Sequence, residues 1–145
     1  MSEFKIVVDY PHSPVKVWQA LTDPALIPLW SATGRGGRPV GFDTKIGTKF
    51  QYIAKPLPGW DGIVRCEVTD CVEGTLLSYT WANAENEEPS VVTCRLEPSA
   101  EGARLTWEHT GFNGFGGALM CRLLRSVRKK MLTVGMPPVL REMEL

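Results

Sequence analysis

The first strand-like segment of the chain alternates hydrophobic and polar residues. The residues on its apolar face are Phe4, Ile6, Val8 and Tyr10. This period of two is typical of a strand with one buried face. Ser13-Pro14 then offers an N-cap followed by a proline, which predicts a helix up to Thr22, and Asp23-Pro24 repeats the signal for a second, shorter helix.

The middle of the chain repeats the same alternation five times. A glycine-rich stretch from Ser31 to Gly47 precedes these segments and is predicted to be a long loop that holds at most a short strand. The alternating segments are Thr48-Phe50-Tyr52, Val64-Cys66-Val68, Leu77-Tyr79-Trp81, Val92-Cys94-Leu96 and Leu105-Trp107-His109. Short turn signals separate them, so we expect an antiparallel meander.

A helical pattern follows the glycine-rich hinge at 111–117. Its apolar residues are Leu119, Leu123, Val127, Met131 and Val134, widened by Met120 and Leu124, while Arg122, Arg125, Lys129 and Lys130 lie opposite. We expect Leu119, Leu123, Val127 and Met131 to face the sheet. On that interpretation, Leu123→Asp would bury an unpaired carboxylate at a large cost in stability. Gly135 and Pro137-Pro138 are predicted to end the helix, leaving a short tail.

The order of elements predicts one α+β domain over residues 1–145. The elements are one strand, two short helices, further strands to about six in total, and a long amphipathic helix. The sheet and the long helix each have an apolar surface to bury. The helix must lie across the concave face of a curved antiparallel sheet, which is the helix-grip arrangement. A chain of 145 residues fits a single core.

Composition narrows the possible partners. Hydrophobic residues make up 43% and charged residues 22%, and sixteen basic residues balance sixteen acidic ones. A chain without basic excess is a poor candidate for binding nucleic acid. No secretory signal and no apolar run long enough for a membrane span is visible, so we expect a cytoplasmic protein.

The sequence predicts no metal, nucleotide or flavin cofactor. The cysteines Cys66, Cys71, Cys94 and Cys121 form no CxxC pair, and we expect reduced thiols that pack as small hydrophobes. His12 and His109 lie on distant elements, without metal-ligand spacing. The glycines at 114–117 match neither a phosphate loop nor the dinucleotide fingerprint, and are better explained as a hinge.

Four motifs carry a resemblance to a known superfamily. They are the segment from Ser13 to Pro24 closing on Trp30, Ile46-Gly47-Thr48-Lys49-Phe50, Gly62-Ile63-Val64 leading to Leu76–Trp81, and the segment from Arg104 to Gly111. Together they resemble the SRPBCC (START-like) superfamily, and within it the activator of heat-shock protein 90 ATPase homologues. The resemblance covers nearly the whole chain. It implies the helix-grip fold with space between sheet and helix, on a scaffold that serves lipid carriers, hormone receptors, cyclases and co-chaperones.

Residues on the concave side are the candidate ligand-binding set. They are Trp30, Phe50, Tyr52, Cys66, Tyr79, Trp81, Trp107, His109, Phe112, Met120 and Leu124, with Phe115 as a further aromatic residue. Ordinary core packing would use the same residue types, so pocket and core remain alternatives. His109 is either a polar anchor for a ligand or a histidine hydrogen-bonded at the end of the sheet.

These observations lead to three functional hypotheses. The first is a protein that binds a hydrophobic or amphipathic small molecule, lipid-like, polyketide-like or aromatic. The second is a cavity enzyme of the polyketide cyclase or hydrolase type, in which His109 with Tyr52 or Tyr79 would be the reactive group. The third is a co-chaperone-like interaction domain, for which no residue pattern supports a protein partner.

Overall fold

Alternating apolar residues form a curved antiparallel sheet in the computed structural model, which describes residues 2–31 and 38–143, without the side chain of Phe115. The strands within these residues are β1 (Ser2–Tyr10), β2 (Arg38–Val40), β3 (Lys49–Ile53), β4 (Ile63–Val72), β5 (Leu76–Trp81), β6 (Ser90–Ser99) and β7 (Gly102–Phe112). The helices are α1 (Pro14–Thr22), α2 (Ile27–Ser31), α3 (Gly114–Lys130) and α4 (Met136–Glu142), with a π-helical turn, Met131–Gly135, between the last two.

The strands follow the order β1-β7-β6-β5-β4-β3-β2, and all pairs are antiparallel. The meander is therefore confirmed from β2 to β7, and β1 closes the other edge by pairing with β7. The described part of the chain has seven strands where the sequence predicted about six. The additional strand is β2, three residues within the predicted loop, which was expected to hold at most a short strand. Residues 32–37 of that loop lie outside the described residues.

A bulge in β4 bends the sheet. The register of β4 against β5 shifts between Val68 and Asp70. Residues before the bulge pair mainly with β3, and Arg65 also bridges to Ala82 just after β5. An extra residue in one strand bends it and increases its twist. The half of the sheet formed by β2, β3 and the start of β4 can therefore curl over the apolar interior.

Of the two short helices at the N-terminal side, α1 begins and ends as its sequence signals predict, whereas α2 begins at Ile27, three residues after the predicted start at Pro24. Ser13 caps α1 by accepting a hydrogen bond from the Lys16 amide (3.3 Å), and Pro14 occupies the first turn. The indole of Trp30 on α2 is buried and donates to the Ala20 carbonyl oxygen (2.8 Å). This bond fixes α2 against α1 and places Trp30 in the core.

The C-terminal helix continues beyond the predicted end. Gly135 and Pro137 do not stop it, because a π-helical turn leads into α4 with the proline in its first turn. The Met136 amide donates to the Met131 carbonyl, and Pro137 has no amide hydrogen for the Leu132 carbonyl. The Tyr10 hydroxyl donates to that carbonyl instead (2.6 Å). The predicted tail is thus a packed helix whose Leu140 is fully buried.

The buried face of α3 differs from the predicted one. Leu119 and Leu123 are 55% and 54% exposed, and Val134 in the π-helical turn is 56% exposed. The seam that packs inward is Cys121, Leu124, Arg128, Met131 and Gly135. The sequence interpretation was right for Met131 and wrong for Leu119 and Leu123, because it left an arginine out of the buried face, as charged residues are seldom fully buried. A carboxylate at position 123 would stay in contact with water.

Candidate functional site

A cavity of about 230 Å³ lies between the sheet and α3. It is lined by Ser31, Tyr52, Ala54, Leu57, Pro58, Trp60, Val64, Trp81, Asn83, Met120, Leu123, Leu124, Val127, Arg128 and Met131. The sheet supplies the inner wall through β3, β4 and β5, and α3 supplies the facing wall. The cavity therefore lies where the helix-grip arrangement was expected to leave space.

The loop between β3 and β4 folds over the mouth of the cavity. Leu57 and Trp60 pair through backbone hydrogen bonds of 3.1 and 2.9 Å, which hold this loop in a turn. Gly62 lets the chain return to the sheet, because its φ of +83° is accessible to glycine and a Cβ would overlap the Ala54 carbonyl oxygen. Leu57 is 45% exposed, so the mouth is apolar and open to solvent on one side.

Arg128 is the charged side chain among the described residues that line this cavity. It is only 4% exposed, and its guanidinium carbon lies 4.2 Å from the centre of the Trp107 ring and 5.7 Å from that of Trp81. Its Nη1 contacts the Met131 sulfur at 3.2 Å. The ion pairs in the described part of the chain are Arg65–Asp61 and Arg104–Asp9, and neither includes Arg128. Two aromatic faces and a thioether thus surround a buried cation.

His109 lies behind the cavity wall and does not line it. Its Nε2 lies 2.7 Å from Ser90 Oγ, and that hydroxyl also lies 3.2 Å from the Trp81 carbonyl oxygen. Its ring packs against Phe112 (4.4 Å) and Phe4 (5.5 Å). Burial, and then the charge of Arg128, lower the pKa of His109 to about 3. At neutral pH it is an uncharged, hydrogen-bonded core residue.

An aromatic layer extends from the cavity wall into the core. Tyr52 contacts Trp81 (5.6 Å between ring centres), Phe50 (5.6 Å) and Tyr79 (6.3 Å). Burial raises the pKa of Tyr52 to about 12, so its phenol stays protonated at neutral pH. The layer presents a rigid, mostly apolar wall with protonated hydroxyls.

The structure divides the predicted site residues into two groups. Those that line the cavity are Tyr52, Trp81, Met120 and Leu124. Those that pack in the buried layer beneath are Trp30, Phe50, Cys66, Tyr79, Trp107, His109 and Phe112. The side chain of Phe115 lies outside the described part of the chain. Ligand contact by any of these residues stays a prediction.

Sequence reasoning missed the loop at the mouth and the arginine at the base. Leu57 and Trp60 fall in a turn rich in proline and glycine, where large apolar residues are a signal of an interaction surface. Arg128 falls in the series 121, 124, 128, 131, 135, whose steps of three and four mark a helix seam. That spacing could have identified it.

The titratable groups near the cavity do not form a metal site. No group of three histidine, cysteine, aspartate or glutamate side chains comes together within residues 2–31 and 38–143. The cysteines are separate thiols, and burial raises the pKa of Cys94 to about 12. Such thiols are protonated and act as small apolar groups.

A broader depression of about 1020 Å³ lies on the outer surface, between α1 and residues 42–46. Its apolar rim is formed by Val15 and Ile46, which are 71% and 59% exposed. Charged side chains of both signs, including Lys45 and Glu73, also line it. A shallow surface of mixed polarity encloses a small ligand poorly, so the cavity under α3 is the better candidate site.

Comparison with known proteins agrees with this architecture. The family model of activator of Hsp90 ATPase homolog 1-like proteins matches residues 11–123. The chain belongs to this family. A search of curated proteins gives no match for this family member. No helix found within the described stretches has the length and apolar character needed to cross a bilayer.

Several solved structures are similar to this family member over nearly its whole length. Protein MLL2253 from Mesorhizobium loti is 28% identical with a TM-score of 0.74, covering 99% of this chain and 100% of that one. Mll3558 from Rhizobium loti is 27% identical with a TM-score of 0.70, covering 92% and 96%. DynU16, from the dynemicin biosynthetic locus, is 20% identical with a TM-score of 0.70, covering 94% of this chain and 49% of that one. The last comparison concerns the fold alone.

Proposed function

We propose that this protein binds a hydrophobic or amphipathic small molecule in the cavity between the sheet and α3. The observation that carries the proposal is the cavity itself, about 230 Å³ with a predominantly apolar wall. Protein interiors are close-packed, and voids much larger than a water molecule are few. An apolar cavity costs stability, because the atoms that line it lose packing contacts. Binding of an apolar molecule would restore those contacts.

The size of the cavity favours a compact ligand. Pockets for drug-sized molecules span about 300–1,000 Å³, so a cavity of about 230 Å³ fits two fused rings or a chain of moderate length. Trp60, Trp81 and Tyr52 offer aromatic surfaces to such a molecule. This supports a lipid-like, polyketide-like or aromatic ligand. The family membership supports the scaffold and is compatible with this function.

The catalytic alternative has less support from the geometry. It needs an acid–base group within hydrogen-bonding reach of a bound substrate. His109 was the candidate, yet its Nε2 is engaged by Ser90 and it is 1% exposed. We therefore propose binding as the function.

Calorimetric titration with 2-naphthamide tests the proposal. This neutral bicyclic molecule should bind the folded protein at one saturable site. Met120→Trp should abolish that binding, because a larger side chain would fill the cavity from the α3 wall. Leu119→Trp is the matched control, because Leu119 is 55% exposed and does not line the cavity. Equal binding by the two variants, or no saturable wild-type binding of either this amide or the carboxylate with the same bicyclic body, would rule out this cavity as the site.

A further inference from the structure

Arg128 gives one end of the proposed cavity a positive charge, and no residue in the described part of the chain is its anionic partner. The side chain is 4% exposed, and the lining residues in the described part of the chain include no aspartate or glutamate. We infer that Arg128 recognises an anionic oxygen group, and that the ligand is an amphipathic acid with its carboxylate on the arginine and its apolar body along α3. This inference rests on the proposed binding function.

The hydrogen-bonding inventory supports an acceptor as the missing partner. A guanidinium has five N–H donors, and the contact made by Nη1 is with a thioether sulfur, which is a weak acceptor. The two indoles beside it add further unpaired donors, because Nε1 of Trp81 and Nε1 of Trp107 are buried without an acceptor in the described residues. A carboxylate only accepts hydrogen bonds when ionised, so it complements a region rich in donors.

The aromatic contacts orient the arginine and leave its edge available. A guanidinium held over indole faces gains cation–π stabilisation, and its N–H groups point outward in the plane. The Trp107 ring centre lies 4.2 Å from the guanidinium carbon, within the range of a cation–π contact. A fixed planar fork matches the two oxygens of a carboxylate. The cation–π contacts therefore hold the arginine and leave its donors for an anion.

The electrostatics of the surroundings point the same way. After burial, the charge of Arg128 is the second cause that lowers the pKa of His109. For Tyr52, Cys66 and Cys94, burial raises the pKa, and the charge of Arg128 opposes part of that rise. All four are uncharged at neutral pH, so none neutralises the arginine. In a cavity walled by apolar side chains, such a charge acts on a bound group with less screening than in water. A buried charge without a partner is costly, and an anionic ligand would remove that cost.

A matched pair of probes separates this inference from the binding function. The carboxylate 2-naphthoate and the uncharged 2-naphthamide share one bicyclic body, and calorimetry at pH 7.5 gives both dissociation constants. Wild type should bind 2-naphthoate at least about tenfold more tightly, since a hydrogen bond to a charged group contributes that much or more. In Arg128→Met the ratio of the two constants should fall to about one or below. Arg128→Lys keeps the charge without the fork and should give an intermediate ratio.

Arg125→Met is the matched control, since Arg125 is an exposed arginine on the same helix. It should retain the wild-type ratio, and circular dichroism should confirm that each variant is folded. Wild type that binds 2-naphthamide as well as or better than 2-naphthoate would overturn the anion site and leave the cavity function standing. Binding of neither probe would overturn both. The assignment of Arg128 as the anion site would also be overturned if Arg128→Met kept the preference for 2-naphthoate. The same holds if Arg125→Met lost that preference to the same extent.

Discussion

His109 shows how its surroundings decide the charge of a residue. The imidazole is 1% exposed, enclosed by aromatic rings, and near the positive charge of Arg128. Both burial and the neighbouring cation disfavour the imidazolium, which lowers the pKa of His109 to about 3. The unfolded chain has no such environment, and its histidine titrates near 6.5. At mildly acidic pH the folded protein therefore binds fewer protons than the unfolded chain, which is a proton deficit of the folded state.

This deficit predicts a loss of stability on acidification. Between about pH 6.5 and about pH 3 the unfolded state binds the His109 proton and the folded state does not, so stability falls as pH falls. One such proton changes the free energy of unfolding by up to about 1.4 kcal/mol per pH unit. We expect His109→Gln to show a flatter pH dependence than wild type in urea unfolding at pH 6.5, 5.5 and 4.5.

The other histidine provides the comparison for this experiment. His12 lies in the exposed turn after β1, beside the Lys16 ammonium (3.2 Å). Its pKa is lowered by slight burial and by the charges of Lys16 and Arg141, an effect that solvent screens at a surface position. His12→Gln should therefore leave most of the acid slope in place. Equal slopes for wild type and His109→Gln would contradict the buried neutral histidine.

Individual residues were harder to predict than elements. A histidine draws attention by its chemistry, and the sequence placed His109 correctly on the concave face of β7. Its Ser90 partner lies on the neighbouring strand, and such a pair follows from the strand register, which no local pattern shows. For Arg128 the helical spacing marks the position as inward, but its partners, two indoles from β5 and β7, follow only from the fold.

At the scale of elements, the C-terminal helix combines an exposed apolar surface with a buried seam. Leu119 is 55% exposed in the first turns of α3, while Leu132 in the π-helical turn is fully buried. The turn places Leu132 against the core, where its carbonyl also accepts the Tyr10 hydroxyl. The same residue type thus occupies two very different environments on one continuous helical segment.

These environments predict different costs for the same substitution. Leu132→Ala should lower the free energy of unfolding by about 2–5 kcal/mol, because it removes buried methyl groups and leaves a cavity. Leu119→Ala should change it by no more than about 0.5 kcal/mol, as is usual for surface positions. Chemical denaturation of the two variants beside wild type measures both. A cost at Leu119 as large as that at Leu132 would mean that Leu119 packs inward, as the sequence predicted.

The regular strands were predictable because their physical cause is local. A strand with one buried face must alternate, and β3 to β7 do so within their own sequence. The short β2 carries no such signal, since only Pro39 among its three residues is half-buried. The predicted end of the C-terminal helix was wrong because Pro137 is tolerated in the first turn of α4. The carbonyl of Leu132, which lacks a donor from this proline, accepts a hydrogen bond from Tyr10, far away in sequence.

At the scale of the whole molecule, the cavity belongs to both layers at once. Tyr52, Val64 and Trp81 come from three strands, and Met120 and Val127 come from the facing helix. Neither layer encloses the space alone, and the unfolded chain has no equivalent site. A ligand that occupies the cavity must therefore bind the folded state in preference to the unfolded state, which couples binding to global stability.

This coupling gives a prediction that separates the cavity from adventitious surface binding. At a free concentration of 100 times its dissociation constant, 2-naphthamide should raise the free energy of unfolding by about 2.7 kcal/mol, and further additions should act logarithmically. The increase follows because only the folded protein holds the sheet and α3 together around the ligand. Met120→Trp should show no such increase, and Leu119→Trp should show all of it. Urea unfolding at several ligand concentrations measures the dependence, and stabilisation of both variants to the same extent would place the ligand outside the cavity.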